Sequence, residues 1–196
     1  MRGLRDIDLR TALHAKILRR HRGDPDTLVL DEFGLRHGEA RVDIGVVNGR
    51  IHGFEIKSDR DTLARLPGQV AIYSEVLDRV TLVVGERHAR HAAELVPEWW
   101  GVKLAVGGSR GGVHFRGIKP TRENPRLNPT AVAELLWRSE ALSVLQRRGL
   151  GQGMLSKTRR QLYARLAAVL TLDEIRDEVR AALKARPYWR ADPSRT

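Results

Sequence analysis

Asp43, Glu55 and Lys57 are the residues of this chain whose types and spacing point most directly to chemistry. Two carboxylates offer the hard oxygen ligands that suit Mg²⁺, with Mn²⁺ as a substitute; such an ion keeps several waters and accepts phosphate oxygens. A metal held there lowers the pKa of a bound water and stabilises in-line attack on phosphorus. A neighbouring lysine can orient or deprotonate that water, or neutralise developing charge. The same three residues also fit a solvated, salt-bridged sheet face, because an acid followed by Glu-x-Lys is a common pattern.

These side chains must be positioned by strands. Val42, Ile44 and Val46 alternate with Arg41, Asp43 and Gly45, and after Asn48-Gly49 the residues Phe54 and Ile56 alternate with Gly53, Glu55 and Lys57. Period-two alternation around Asn-Gly predicts a β-hairpin. A three-residue turn, Val47-Asn48-Gly49 with Gly49 left-handed, sets Val42 opposite Phe54 and Asp43 opposite Gly53. Val42, Ile44, Phe54 and Ile56 then share a buried face, and Asp43, Glu55 and Lys57 share the other. A slip of one residue would reverse every side chain, so the buried face selects this register. Downstream, Pro67 suits the first turn of a helix running to about Asp78. It carries Gln69 and Tyr73 four residues apart and so on one face.

An acid on one strand, Glu-x-Lys on the next and Gln-x-x-x-Tyr on the following helix resemble the PD-(D/E)xK nuclease superfamily, in particular its RecB-like exonuclease branch. The longer string, from Leu30-Asp31-Glu32 through Arg41-Val42-Asp43 and Gly53-Phe54-Glu55-Ile56-Lys57 to Gln69-Val70-Ala71-Ile72-Tyr73, is similar to small bacterial and prophage members of that superfamily. The likeness covers roughly residues 27 to 120 and is specific in 30 to 80, with one departure, that no proline precedes Asp43. The resemblance implies an α/β fold with a restriction-endonuclease-like core, a central mixed β-sheet flanked by helices. It implies a Mg²⁺-dependent deoxyribonuclease. Asp43 and Glu55 would hold metal with the Ile56 backbone carbonyl and with Glu32 as a further acid, Lys57 would handle the attacking water, and Gln69 and Tyr73 would support the lysine or contact DNA. Removing Lys57 is expected to abolish cleavage and leave the fold intact. The alternative is a catalytically inactive nucleic-acid-binding or regulatory protein that keeps the fold.

Composition is compatible with either. The 196 residues carry 35 Lys+Arg against 24 Asp+Glu, a formal net charge of +11, which favours a polyanionic partner such as DNA but also fits an arginine-rich proteome. The absence of cysteine excludes disulfides and thiolate metal sites and fits the cytoplasm. No apolar run approaches the ~20 residues of a membrane span, and the first twenty residues do not read as a signal peptide. The partners expected are therefore DNA and no membrane, with a homo-oligomer or larger complex left open.

The remaining elements follow from periodicity. A first helix, capped by Asp8, buries Leu9, Leu13 and Ile17 and leaves Arg10, Lys16, Arg19 and Arg20 off its apolar stripe, as a solvated face or a phosphate track. Thr27–Phe33 reads as a strand, Val80–Val84 as a strand buried on both faces, Val102–Val106 and Val113–Ile118 as two more, with a helix from Arg87 to about Glu98. Asp59 and Asp61 read as caps, His14 and His21 as solvated or packed, and Trp99 and Trp100 as either stacking groups for bases or lids on the core. Gly107–Gly112 reads as a hairpin turn. Lys119–Thr130 is a polar, proline-rich connector, dividing a domain over 1–120 from an all-α C-terminal lobe over 121–196. That lobe opens with one helix from Pro129 to Gly149, continues with a helix capped by Ser156 and ends with one capped at Thr171. Lys157, Arg159, Arg160 and Arg165 make the middle helix basic; together with Arg41, the first three of these are candidate DNA contacts. The last two helices form either a helix-turn-helix or a packing surface. The tail after Ala185 is expected to fray.

Overall fold

The computed structural model describes residues 3–21, 23–108 and 112–187. It is an α/β protein. Its single sheet has six strands in sequential order: β1 (Leu28–Leu35), β2 (Ala40–Val47), β3 (Ile51–Lys57), β4 (Arg79–Val84), β5 (Gly101–Gly107) and β6 (Val113–Lys119). β1, β2 and β3 run antiparallel, β3, β4 and β5 parallel, and β6 returns antiparallel to β5. The parallel pairs need crossovers, and α2 (Leu66–Val76) and α3 (Ala89–Leu95) provide them. Among the described residues, no helix is long and apolar enough to cross a membrane.

Two cores sandwich the sheet. On one face α1 (Asp6–Lys16) and the turn after it lay Leu9, Leu13 and Leu18 against Ile44, Val46, Phe54, Ile56, Val83 and Ala105. On the other face a larger core joins Val47, Ile51, Val80, Leu82 and Val84 to Tyr73 and Leu77 beyond α2, and to the C-terminal helices. These are α4 (Pro129–Ala133), α5 (Arg138–Arg147), α6 (Arg159–Val169) and α7 (Leu172–Ala185). β4 is buried on both faces, as its unbroken apolar run predicts. Trp99 and Trp100, 8% and 0% exposed, belong to the larger core.

The hairpin departs from its expected register. The pairs are Ile44 with Phe54, Gly45 with Gly53, and Val47 with Ile51, so the connection is Asn48-Gly49-Arg50 and Gly49 is not left-handed. The Asn48 side chain closes this turn by accepting from the Arg50 backbone. Moving the register by two residues takes Val47 out of the turn and buries it against Ile51, both essentially inaccessible. An even shift preserves the faces, which is why Phe54 and Ile56 still oppose Glu55 and Lys57. Val42, however, leaves the face of Ile44 and joins the larger core. β1 switches in the same way: Leu28 and Leu30 face the larger core, and so do Phe33 and Leu35, an odd step along the strand. The switch falls at Glu32, whose φ is 55°, a conformation uncommon outside glycine. Glycines accommodate the crowding there, since a Cβ at Gly45 would lie 2.8 Å from the Phe33 ring, and one at Gly53 2.6 Å from Leu77.

Helix ends also differ from expectation. α1 begins two residues before Asp8, whose carboxylate accepts from the Arg5 backbone. The predicted helix over Arg87–Glu98 is a short 3-10 turn followed by the seven residues of α3. The predicted helix from Pro129 to Gly149 is two helices, broken between Ala133 and Arg138 so that Leu135 and Leu136 can turn inward. Thr158 rather than Ser156 caps α6, accepting from Gln161 N–H, which leaves Lys157 ahead of the helix instead of on it. The connector 119–130 is stapled to the sheet layer: the buried Asn124 donates to the carbonyls of Ser74 and Leu77, and Asn128 N–H donates to Glu75 O. Part of the Gly107–Gly112 turn and the tail from Tyr188 lie outside the described residues.

Candidate functional site

β3 delivers Glu55 and Lys57 to the larger-core face of the sheet, and α2 lies across them. The Glu55 carboxylate is 2% exposed and fully engaged. Lys57 Nζ donates to Oε1 at 2.5 Å, Gln69 Nε2 to the same oxygen at 2.6 Å, and the Tyr73 hydroxyl lies 2.8 Å from Oε2. That hydroxyl is also 2.6 Å from the Arg41 carbonyl. With one proton to give, it ties α2 to β2 or to β3 according to which oxygen it serves. Burial, with Glu55 facing it, pushes the Tyr73 phenol far above its usual range, so it stays a neutral donor. The helical spacing of Gln69 and Tyr73 thus does what their shared face suggests: both reach one carboxylate.

Asp43 closes the network from β2. Its Oδ2 accepts from the Ile56 backbone N–H at 2.6 Å, replacing a ladder hydrogen bond where β2 and β3 part. Its Oδ1 takes Arg10 Nη2 at 2.9 Å, and the same nitrogen reaches Glu32 Oε1 at 2.8 Å. Arg10 Nη1 donates to the Asp43 carbonyl and lies 3.6 Å from Asp31 Oδ1, which His14 also holds. Burial works against the charge on Arg10, but Asp43, Asp6, Glu32 and Asp31 together raise its pKa. Asp43 is pushed up to about 7, by burial first and then by Glu55, against the pull of the Ile56 N–H, Arg10 and Lys57.

The structure therefore gathers Glu32, Asp43, Glu55, Ile56, Lys57, Gln69 and Arg41 around one open cleft of about 810 Å³. Tyr73 closes it from beneath. The Arg10 guanidinium stands between Glu32 and Asp43, and Glu55 is shared by three side-chain donors. Among the described residues no group of three or more His, Asp or Glu side chains converges as metal ligands would. Arg10 is the participant that sequence reasoning missed: it lies off the apolar stripe of α1, and only the packing of that helix shows that its head reaches the strands. Asp78 was missed too. At 2% exposure it accepts from Ile51 N–H at 2.6 Å and pairs with Arg176 of α7 at 2.8 Å, locking the C-terminal helices to the hairpin.

The basic candidates lie elsewhere. Arg41 is exposed at the cleft rim, 3.7 Å from Glu32. Arg159 and Arg160 are exposed in the first turn of α6 and Arg165 one turn further on, without ion pairs among the described residues, while Leu162 and Leu166 face inward. Lys157 is half-buried, and its carbonyl accepts from Arg138.

The chain matches the family model described as Bacteriophage P4 protein cII over residues 6–192. A relative named Protein cII, from Enterobacteria phage P4, is 29% identical over 161 residues, covering 82% of this chain. The chain spans 60% of the length of that curated relative. No solved structure matches it. The family match, which takes in both the sheet and the C-terminal helices, overturns the assignment to the PD-(D/E)xK nucleases and with it the description of the chain as a nuclease or hydrolase. The acid, Glu-x-Lys and Gln-x-x-x-Tyr of that motif do converge, as a buried network of hydrogen bonds among the chain's own groups. With the match running through nearly all of the chain, this protein belongs to the bacteriophage P4 protein cII family.

Proposed function

We propose that this chain is a non-catalytic regulatory protein that binds DNA through its basic C-terminal helices and acts in the cytoplasm. The observation that carries the reading is the contrast in how charges are used. The acids of the cleft are occupied by Arg10, Lys57, Gln69 and Tyr73. Arg159, Arg160 and Arg165 have no ion pairs among the described residues, in a chain of net charge +11. Buried, satisfied networks hold a fold together, whereas unpaired surface cations are free to neutralise phosphates and release counterions. Membership of a phage protein family supports a setting in which DNA is the polyanion at hand.

The test is to incubate the purified protein with supercoiled, linear and single-stranded DNA, with and without Mg²⁺, and to follow binding by fluorescence anisotropy across a salt series. The expected result is intact DNA under all conditions and an affinity that falls steeply with salt. Mg²⁺-dependent cleavage would overturn the non-catalytic reading, and absence of binding at low salt would overturn DNA as the partner.

A further inference from the structure

A second cleft, of about 400 Å³, lies between the β1 edge of the sheet and the C-terminal helices. Its volume is within the range of small-ligand sites, roughly 300 to 1,000 Å³. It meets the Glu55 cleft only at its rim, where Glu32 lines both. Two planar rings border it, His37 and Trp137, both exposed to solvent. The His37 ring is held by stacking on Tyr163 of α6, centroids 5.6 Å apart and 25° from parallel. Trp137 is 47% exposed with the Arg186 guanidinium over its ring at 4.3 Å. An exposed tryptophan at this position is not needed by the core, which is complete without it.

The backbone around the cleft is strained in a concentrated way. Among the described residues, the non-glycine residues with positive φ are Glu32, Arg36 and His37, at 55°, 48° and 56°, and all three line this cleft. Such conformations cost energy and persist where surrounding structure enforces them, often at ligand sites. Here the enforcement is visible: Arg36 is anchored by Glu75 at 2.5 Å and Glu134 at 3.3 Å, and His37 by Tyr163. The carboxylates that line it, Asp31, Glu32 and Glu134, are held by His14, Arg10 and Arg36. The free cations begin close by. Tyr163, which holds His37, lies one turn along α6 from Arg159, and its hydroxyl donates to the carbonyl of Leu136 in the cleft wall. Arg138, next to Trp137, donates to the Lys157 carbonyl two residues before Arg159.

We propose that this cleft receives a single unpaired nucleobase of a DNA strand, stacked on Trp137 and His37, with flanking phosphates on Arg159 and Arg160. Planar rings accept any base on its face, and the adjoining cations supply the backbone attraction. A base in a duplex is already stacked and cannot enter, so the cleft selects single-stranded or locally unpaired DNA. This rests on the DNA-binding reading above and names its substrate class.

The test uses full-length protein with a 2-aminopurine-labelled single strand and with a fully paired duplex of the same sequence. The inference expects tighter binding to the single strand, with 2-aminopurine emission quenched on binding by stacking. Trp137→Ala should weaken single-strand binding on the order of 10-fold or more and abolish the quenching, while duplex affinity stays unchanged, since one stacked base is worth about 1–3 kcal/mol. Trp137→Phe should retain most of both. Circular dichroism and thermal melting of the variants establish folding; if Trp137→Ala does not fold, Trp137→Phe and His37→Ala carry the same comparison. Equal affinity for both DNAs with no quenching would overturn the cleft's role and leave the DNA-binding reading standing. Displacement of the strand by free deoxynucleotide monophosphate at equal base concentration would overturn the assignment to a strand. No binding to either DNA would remove the DNA-binding reading itself, and the inference with it.

Discussion

The cleft at β2–β3 and the first turn of α6 are both rich in charge, yet they use it in opposite ways. At Glu55 and Asp43 every charged head meets a partner: from α1 through Arg10, from α2 through Gln69 and Tyr73, and from Glu55's own strand through Lys57. At α6 the cations meet only solvent among the described residues, and the helix is held by Leu162, Tyr163 and Leu166 on its other side. The lesson is that charge density says little about function until its partners are counted. A buried charge is expensive unless paired, so the cleft's residues are committed to each other. An exposed charge costs nothing to leave free, and so remains available to a ligand.

Breaking the buried side should have the largest consequence. Glu55→Ala strands the Lys57 ammonium and removes the nearest acceptor of the Gln69 amide, and is expected to destabilise by about 3–5 kcal/mol, read by urea denaturation. Lys57→Ala should also destabilise, because Lys57 is buried at 6% exposure, the reverse of what the nuclease resemblance implies for its loss. A change under about 1 kcal/mol in Glu55→Ala would mean that the network is not what holds the strands together.

A titration sharpens the same point. The Asp43 pKa is raised to about 7, so the folded state binds more protons than the unfolded chain between about pH 4 and 7. Its contribution to stability is therefore full below pH 4 and lost as pH rises through 7, an effect bounded by about 4 kcal/mol. His52, drawn down to about 3 chiefly by burial, works the other way: its contribution is present above about pH 6.5 and lost as pH falls toward 3. Comparing wild type with Asp43→Asn at each pH cancels the histidine. The variant should gain relative stability from pH 5 to pH 8, and parallel stability curves would count against the shift.

On the helical side the effects on stability should be small. Thr158→Ala removes the oxygen that accepts from Gln161 N–H and should cost about 1 kcal/mol in a thermal or urea melt. A loss near zero would place the start of α6 elsewhere. The double variant Arg159→Ala/Arg160→Ala should leave stability within about 0.5 kcal/mol of wild type. It should flatten the slope of log affinity against log salt by about two units on duplex DNA. An unchanged slope would make these cations a solvated face and erase the functional half of the comparison.

Much of the fold was legible in the residues themselves, and the reasons are local. Unbroken Val80-Thr81-Leu82-Val83-Val84 could only be a strand buried on both faces. Thr171 through Glu174 announced the start of α7 by its capping box. The convergence of Glu55, Lys57, Gln69 and Tyr73 was likewise readable, from period two on a strand and period 3.6 on a helix. What such patterns could not supply was the meaning of the convergence. A catalytic site and a structural polar network can be built from the same residues at the same spacing.

Alternation and helix periodicity by themselves determined which residues face together, because backbone geometry sets those periods regardless of context. Tertiary structure decided what each face meets. The hairpin register moved by two because burying Val47 against Ile51 outweighed the preferred turn, and Val42 changed sides because β1 and β2 switch faces opposite each other, at Glu32 and Asp43. Arg10 became the partner of Asp43 because α1 packs across β2, an arrangement separated by thirty-three residues of chain. Contacts at that distance depend on how whole elements pack. Partner choice, and with it the difference between an acid free to act and one already spoken for, is a property of the folded assembly of elements rather than of any stretch of the chain.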